Sequence, residues 1–92
     1  MKKTENWKLN PVEGWKNYYT WNVALFLNND EKYYECIKKW CEAVKRGNTV
    51  KKTYKSFLEF TGLKYCYTSD GVAFSNKNVS ASEILKDVLL AE

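Results

Sequence analysis

The sequence contains no histidine, so it lacks the side chain that proteins use most often as a general base and as a metal ligand. Its cysteines, at positions 36, 41 and 66, do not have the C-x-x-C spacing of structural zinc sites. The chain also has no glycine-rich phosphate loop and no G-x-S-x-G nucleophile motif. These absences predict a protein that is not an enzyme and that has no catalytic residues, no metal ligands and no cofactor.

The low cysteine content indicates free thiols. Three cysteines leave at least one without a partner, and Cys36 and Cys41 lie five residues apart on a predicted helix, where their side chains diverge. The cysteines could be redox-active, but two of them fall in apolar stripes, where a thiol acts as a small hydrophobic group. Residues 1–10 are mostly polar, so we expect no secretory signal and a reducing, cytoplasmic location.

Long apolar runs are also absent from the sequence. The longest, residues 23–27, is far shorter than the stretch of about 20 apolar residues that crosses a membrane. A chain of 92 residues fits one small domain, and four Trp, seven Tyr and four Phe supply the apolar bulk of its core. We expect residues 1–14 to form a mobile lead-in, punctuated by Pro11 and Gly14, and residues 15–92 to form a single helical domain.

The most apolar segment of the chain is residues 17–28. Only one polar side chain interrupts it between Trp21 and Leu27, whereas a surface helix has a complete polar face. This pattern predicts a central helix that its neighbours surround, with Trp21, Leu25 and Leu27 buried and Asn17 as the N-cap. A buried strand is the alternative, because short apolar runs do not distinguish the two.

Three further helices are predicted from periodicity and end signals. Residues 31–46 place apolar side chains at helical spacing, and Gly47 ends that pattern. A third helix is expected to begin near Thr49, as its N-cap, and to end at Gly62. Residues 80–83 have the sequence of a capping box, which opens a C-terminal helix.

The helical spacing of apolar residues is lost between residues 64 and 75, where aromatic and β-branched residues flank the Asp70-Gly71 step. This pattern favours a tight β-hairpin, which must pack on the helices because an isolated hairpin is only marginally stable. The predicted fold class is therefore α+β and mostly α, with three helices, a β-hairpin and a C-terminal helix in one compact domain.

Two features of this predicted fold have both a structural and a functional interpretation. Asn22, polar within the apolar helix, could contact a ligand, but a buried amide more often hydrogen-bonds a neighbouring loop. Tyr65, Tyr67 and Phe74 could stack on nucleic-acid bases, although packing against the helices is the commoner use of such residues.

The net charge of +4 is mild, but the positive charges are concentrated between residues 38 and 55, where Glu42 is the only acidic residue. A short Gly47-Asn48 connection would place helices two and three side by side, with these cations on one surface. Such a surface can track a phosphate backbone or an acidic protein, and the alternative is an ordinary solvated face. The candidate partner-binding residues are Lys38, Lys39, Lys45, Arg46, Lys51, Lys52 and Lys55.

The opening helix carries the pattern N-Y-x-T-W-N-V-A-L from Asn17 to Leu25, and the pattern D-G-V-x-F follows at residues 70–74. Together they resemble the two ends of a family of small, uncharacterised proteins encoded by phages and related mobile elements. The chain departs from the family pattern at Tyr19, where an acidic residue is usual, and at Phe26, where Trp is usual. Both changes keep the bulk of the side chain.

The resemblance implies a phage-like origin, and because the family is uncharacterised it assigns no functional residues. Short phage proteins without catalytic groups often act by binding a host defence system. We therefore expect a non-catalytic, anti-CRISPR-like inhibitor of a host nucleic-acid-handling defence system, in the cytoplasm of the infected cell. Its partner would be a host protein or ribonucleoprotein complex, with nucleic acid as a further candidate partner, and not a membrane. The alternatives are a small DNA- or RNA-binding accessory protein and, third, a small enzyme.

Overall fold

The computed structural model describes residues 7–47 and 49–90, and their regular structure is helical. No helix within these residues is long and apolar enough to span a bilayer. In chain order the elements are α1 (Tyr18–Asn29), α2 (Glu31–Lys45), α3 (Tyr54–Thr61), a 3-10 turn (Leu63–Tyr65), α4 (Ala81–Ile84) and a π-helical turn (Leu85–Leu89).

Helix α1 starts directly after Asn17, which caps it as predicted. The Asn17 backbone is extended, and its Oδ1 accepts hydrogen bonds from the backbone N–H and the hydroxyl of Thr20, both at 2.9 Å. Asp30 leaves the helical conformation at the other end and caps α2 by accepting from the Lys32 N–H at 3.0 Å. Because a single residue separates the two helices, α1 and α2 are neighbours in the fold.

One face of α1 enters the core. Val23, Ala24 and Leu27 are almost completely buried, and their spacing of one, three and four residues marks a single helix face. Trp21 and Leu25 are four residues apart on the flank of that face and are only half-buried. The predicted burial is therefore confirmed for Leu27 and wrong for Trp21 and Leu25, although the segment is a helix and not a strand.

The centre of the core lies where α2 and α3 meet the segment that follows them. Trp40 is fully buried, and its ring centroid lies 5.6 Å from that of Phe57 in an edge-to-face arrangement. Phe74 is also fully buried and contacts Tyr33 edge-on at 5.5 Å. Ile84 closes the core from α4. Aromatic side chains from distant parts of the sequence thus join the helices.

Helix α3 is shorter than predicted. It begins after Thr53, whose hydroxyl accepts from the Ser56 N–H at 3.1 Å, and residues 49–53 are not helical. The expected cap at Thr49 is therefore wrong. The predicted end at Gly62 is confirmed, because Gly62 adopts φ 81° and donates its N–H to the Leu58 carbonyl.

The predicted β-hairpin at residues 64–75 is wrong, and the fold is mostly helical with no strand or sheet in the described residues. The chain does reverse at the Asp70-Gly71 step, but only an isolated bridge between Tyr67 and Ala73 forms. A 3-10 turn occupies the start of the segment, and a further turn begins after the bridge. Neither arm is therefore extended for long enough to make a ladder.

The C-terminal helix begins at Ser80, as the capping box predicted, but the box is only half formed. The Ser80 hydroxyl accepts from the Glu83 N–H at 3.4 Å. The Glu83 carboxylate instead accepts from the Lys16 N–H at 2.9 Å, and the Ser80 N–H donates to the Thr20 hydroxyl at 2.8 Å. The cap of α4 is thereby attached to the start of α1.

The predicted lead-in is described only in part, because residues 1–6 lie outside the described residues. In the remainder, the Trp7 ring lies edge-on to Tyr18 at 5.3 Å. Val12 and Trp15 exchange hydrogen bonds of 3.0 and 2.8 Å across a tight turn. The described portion of the lead-in thus contacts the domain, and the mobility of residues 1–14 stays a prediction.

Candidate functional site

Asn22 has a structural environment. Its Nδ2 donates to the Asp70 carboxylate at 2.8 Å, and its Oδ1 accepts from the Thr68 hydroxyl at 2.6 Å. Thr68 in turn accepts from the Val72 N–H at 3.2 Å. Because both ends of the buried amide are bonded within the chain, Asn22 holds the 68–72 turn against α1.

The two sequence patterns that carry the family resemblance meet in this structure. Besides the Asn22 contacts, Asn17 Nδ2 donates to the Asn78 carbonyl at 2.7 Å, and Thr20 accepts from Ser80. Polar residues of the opening pattern therefore form hydrogen bonds with the segment that follows the D-G-V pattern. This arrangement explains the polar positions of the opening pattern by folding, without a ligand.

None of the three cysteines, all of which are among the described residues, forms a disulfide, as predicted. Cys36 and Cys41 are half-buried and pack against the core, whereas Cys66 is exposed. In the part of the chain that the structure describes, histidine, cysteine and acidic side chains form no cluster of metal-ligand geometry.

All seven predicted partner-binding cations are exposed, and four of them line one or other of two grooves. Lys38, Lys45 and Lys52 line one groove, and Lys55 lines a different one. The remaining three, Lys39, Arg46 and Lys51, line neither groove. Helix α3 begins only at Tyr54, because residues 49–53 are not helical, and a joint role of the seven cations in partner binding stays a prediction.

The first groove is a cavity of about 590 Å³ between the end of α1, α2 and the C-terminal segment. Lys38 and Lys45 are seven residues apart and therefore lie on the same face of α2. Glu42 is the only carboxylate among its described lining residues. Two large side chains in it are partly open to solvent, Tyr34 at 52% and Leu90 at 39% exposure. The groove thus combines positive charge with accessible apolar surface.

The second groove, of about 330 Å³, lies between α3 and residues 75–81 and contains Lys55, Lys64 and Lys77. None of its described lining residues is acidic. Its inner wall includes Tyr54, whose hydroxyl donates to the Phe74 carbonyl at 2.6 Å. Burial raises the pKa of the Tyr54 phenol well above its usual value, so the Tyr54 side chain stays neutral.

Two tyrosines that follow Lys64 of the second groove along the chain are strongly exposed, Tyr65 at 80% and Tyr67 at 66%. Lys64, which lines that groove, places its Nζ 5.7 Å from the centroid of the Tyr65 ring. The expectation that these aromatics pack on the helices is confirmed for Phe74 and wrong for both tyrosines. Sequence reasoning missed Lys64 and Lys77, because they lie outside the dense run of cations between residues 38 and 55.

An aromatic cluster covers the N-terminal half of α1. Tyr18 lies 5.7 Å from Trp21 and contacts Trp7 on its other side. Lys8 Nζ lies 5.8 Å from the Trp7 ring centroid and 5.3 Å from that of Tyr18. Because the chain's own lysine lies over these rings, the cluster is an internal contact of the lead-in.

The model of a family of unknown function, DUF7249, matches residues 8–92. No curated protein and no solved structure matches the chain significantly. The family match covers both grooves and the polar network of α1.

Proposed function

The chain belongs to DUF7249, a family of unknown function, and we propose that it is a non-catalytic, phage-encoded binding protein that inhibits a host defence system. The proposed target is a nucleic-acid-handling protein or ribonucleoprotein complex, as in anti-CRISPR inhibition, in the cytoplasm of the infected cell. The phage origin rests on the resemblance of the two sequence patterns. The non-catalytic character rests on the sequence, which lacks histidine.

The first groove is the observation that carries the proposed binding function. Lys38, Lys45 and Lys52 line the same groove as several buried apolar side chains, and Tyr34 and Leu90 are partly open to solvent there. Exposed apolar side chains at the centre of a contact supply affinity when a partner covers them. The lysines favour an acidic partner and accelerate its encounter with the groove. These properties support a protein partner with an acidic, partly apolar surface.

Partner capture from host lysate with matched charge variants tests the proposal. The first variant carries Lys38→Gln, Lys45→Gln and Lys52→Gln, and the control carries Lys55→Gln, Lys64→Gln and Lys77→Gln. Both lose three charges on exposed side chains, so both should melt like the parent. We expect the first variant to lose the host complex, with association slowed roughly 10- to 100-fold, and the control to retain it.

The comparison of the two variants decides whether the first groove binds the partner. Equal capture by the parent and both variants would show that the first groove is only a solvated surface. Nuclease treatment of the lysate separates the second candidate function, a DNA- or RNA-binding accessory protein. The absence of carboxylates from the described lining of the second groove favours that candidate. Capture that persists after nuclease treatment supports the inhibitor.

A further inference from the structure

The second groove is a binding surface of its own, with a charge distribution unlike that of the first. Lys55, Lys64 and Lys77 come from α3, the 3-10 turn and the 75–80 loop, and none of the described residues lines both grooves. We propose that the second groove, together with Tyr65 and Tyr67, binds single-stranded nucleic acid. This inference does not depend on the inhibitor function, which is assigned to the first groove.

The charge of the second groove suits a phosphate backbone. Its described lining contains three lysines and no carboxylate, whereas the first groove contains Glu42. Glu59 is 3.9 Å from Lys64, but both side chains are about half exposed, so this pair is weak and leaves Lys64 able to bind an anion. Ser75 and Asn76 add polar groups to the same wall. The electrostatic cost of binding in this groove is therefore lowest for a polyanion.

The two exposed tyrosines favour a single-stranded nucleic acid over a duplex. Tyr65 follows Lys64 in the chain, and Tyr67 pairs with Ala73, two residues before Ser75 of the groove wall. Each ring is more than half exposed, although both lie beside the buried Phe74 segment. Unpaired bases can stack on such rings, whereas paired bases in a duplex cannot reach them. A strand held by the lysines would thus present its bases to Tyr65 and Tyr67.

Fluorescence anisotropy with free oligonucleotides tests the charge argument. The probes are fluorescein-labelled oligothymidylate and oligouridylate of about 20 nucleotides, a length that covers several single-strand sites. If three phosphates are neutralised, log K should fall with log[salt] at a slope of about −2. Lys55→Gln, Lys64→Gln and Lys77→Gln together should weaken binding at least about tenfold and flatten that slope.

The control for charge is the first-groove variant, with Lys38→Gln, Lys45→Gln and Lys52→Gln. It has the same net charge as the second-groove variant, and we expect its affinity to stay within about twofold of the parent. Equal weakening by the two variants would show diffuse attraction without a site and would overturn the proposal. Absence of binding to both probes at about 50 mM salt would also overturn it.

Single tyrosine substitutions test the stacking argument. Tyr65→Ala and Tyr67→Ala should each weaken oligonucleotide binding roughly 5- to 150-fold, the range for loss of one stacked base. Tyr65→Phe keeps the ring and should bind like the parent. Tyr34→Ala, which removes an exposed ring from the first groove, is the matched control and should have no effect. Unchanged affinity of both alanine variants, or tighter binding of a duplex than of a single strand, would refute a single-strand site.

Discussion

At the scale of single residues, Asn22 determines how the middle of the chain is attached to α1. Its amide is fully buried, and its partners lie 46 and 48 residues away along the chain. The hydrogen bonds offset the cost of burying an amide, and they are directional in a way that apolar contacts are not. Asn22 therefore fixes the position of the 68–72 turn.

Asn22→Ala should lower the free energy of unfolding by about 2–3 kcal/mol, because it leaves the buried Thr68 hydroxyl without its acceptor. Asn29→Ala is the control, since Asn29 is an exposed amide on the same helix whose Nδ2 donates to the Leu25 carbonyl one turn earlier. We expect the control to stay within about 0.5 kcal/mol of the parent. Urea denaturation measures both, and equal effects would contradict a specific role for Asn22.

Tyr54 is the second residue with a distinct physical role, because it is a buried acid that must remain neutral. Its hydroxyl donates to Phe74, and burial raises the pKa of the phenol above that of an unfolded tyrosine. The folded state therefore holds this proton more tightly than the unfolded state. The stability that this provides is complete below the unfolded pKa and is lost as the pH rises through the folded pKa.

Tyr54→Phe tests this linkage. Below the ordinary tyrosine pKa of about 10, the parent should exceed the variant in stability by about 1–2 kcal/mol, the value of the hydrogen bond to the Phe74 carbonyl. The difference should shrink as the pH rises above about 10, because the unfolded tyrosine then ionises freely. Urea denaturation of both proteins from neutral to alkaline pH measures it, and a constant difference would disprove the linkage.

At the scale of elements, local caps decide where the helices begin. Asn17, Asp30, Thr53 and Ser80 each accept a hydrogen bond from the first turn of the helix that follows. Thr49 has the same chemistry as Thr53, yet no helix starts there. A cap residue is effective only where the following residues can bury an apolar face, and Tyr54 and Phe57 supply that face for α3.

The two threonines provide a matched test of the start of α3. Thr53→Ala should destabilise the protein by about 1 kcal/mol, the usual effect of removing an N-cap. Thr49→Ala should change stability by less than about 0.5 kcal/mol, because Thr49 is exposed and precedes no helix. Thermal melting ranks the variants, and a larger effect at Thr49 would mean that α3 begins earlier in solution.

At the scale of the whole molecule, one aromatic core holds helices that are individually too short to be stable. Helix α3 has eight residues and α4 has four, and isolated helices below about 12 residues are marginal in water. Trp40 is the largest fully buried side chain and joins α2 to α3 through Phe57. The stability of the fold therefore depends on α2 more than on the most apolar helix, α1.

Two tryptophan substitutions test whether α2 contributes more to the stability of the fold than α1 does. Trp40→Ala should cost about 3–5 kcal/mol, as large core truncations do. Trp21→Ala should cost about 1–2 kcal/mol, because Trp21 is half-buried and its ring contact is with the half-exposed Tyr18. Denaturant midpoints compare the two, and a greater loss at Trp21 would place the centre of the core at α1.

The sequence by itself determined the features that depend on near neighbours. Asn17 as a cap, Gly62 as a helix end and the Ser80 helix start follow from interactions within one turn, and periodicity predicted the helical segments. The structural interpretation of Asn22 also followed from a general requirement, since a buried amide needs partners.

Only the tertiary structure decided the features that depend on distant parts of the chain. Residues 64–75 have local hairpin signals, but Asn22 of α1 forms hydrogen bonds with Thr68 and Asp70. Turns on both sides of this segment leave its arms too short for a β-ladder. The composition of the candidate binding grooves was likewise decided by tertiary structure. Lys55 was grouped with its sequence neighbours, whereas folding places it with Lys64 and Lys77. The reason is physical, because which side chains share a surface depends on how the helices pack, and no local pattern records that packing.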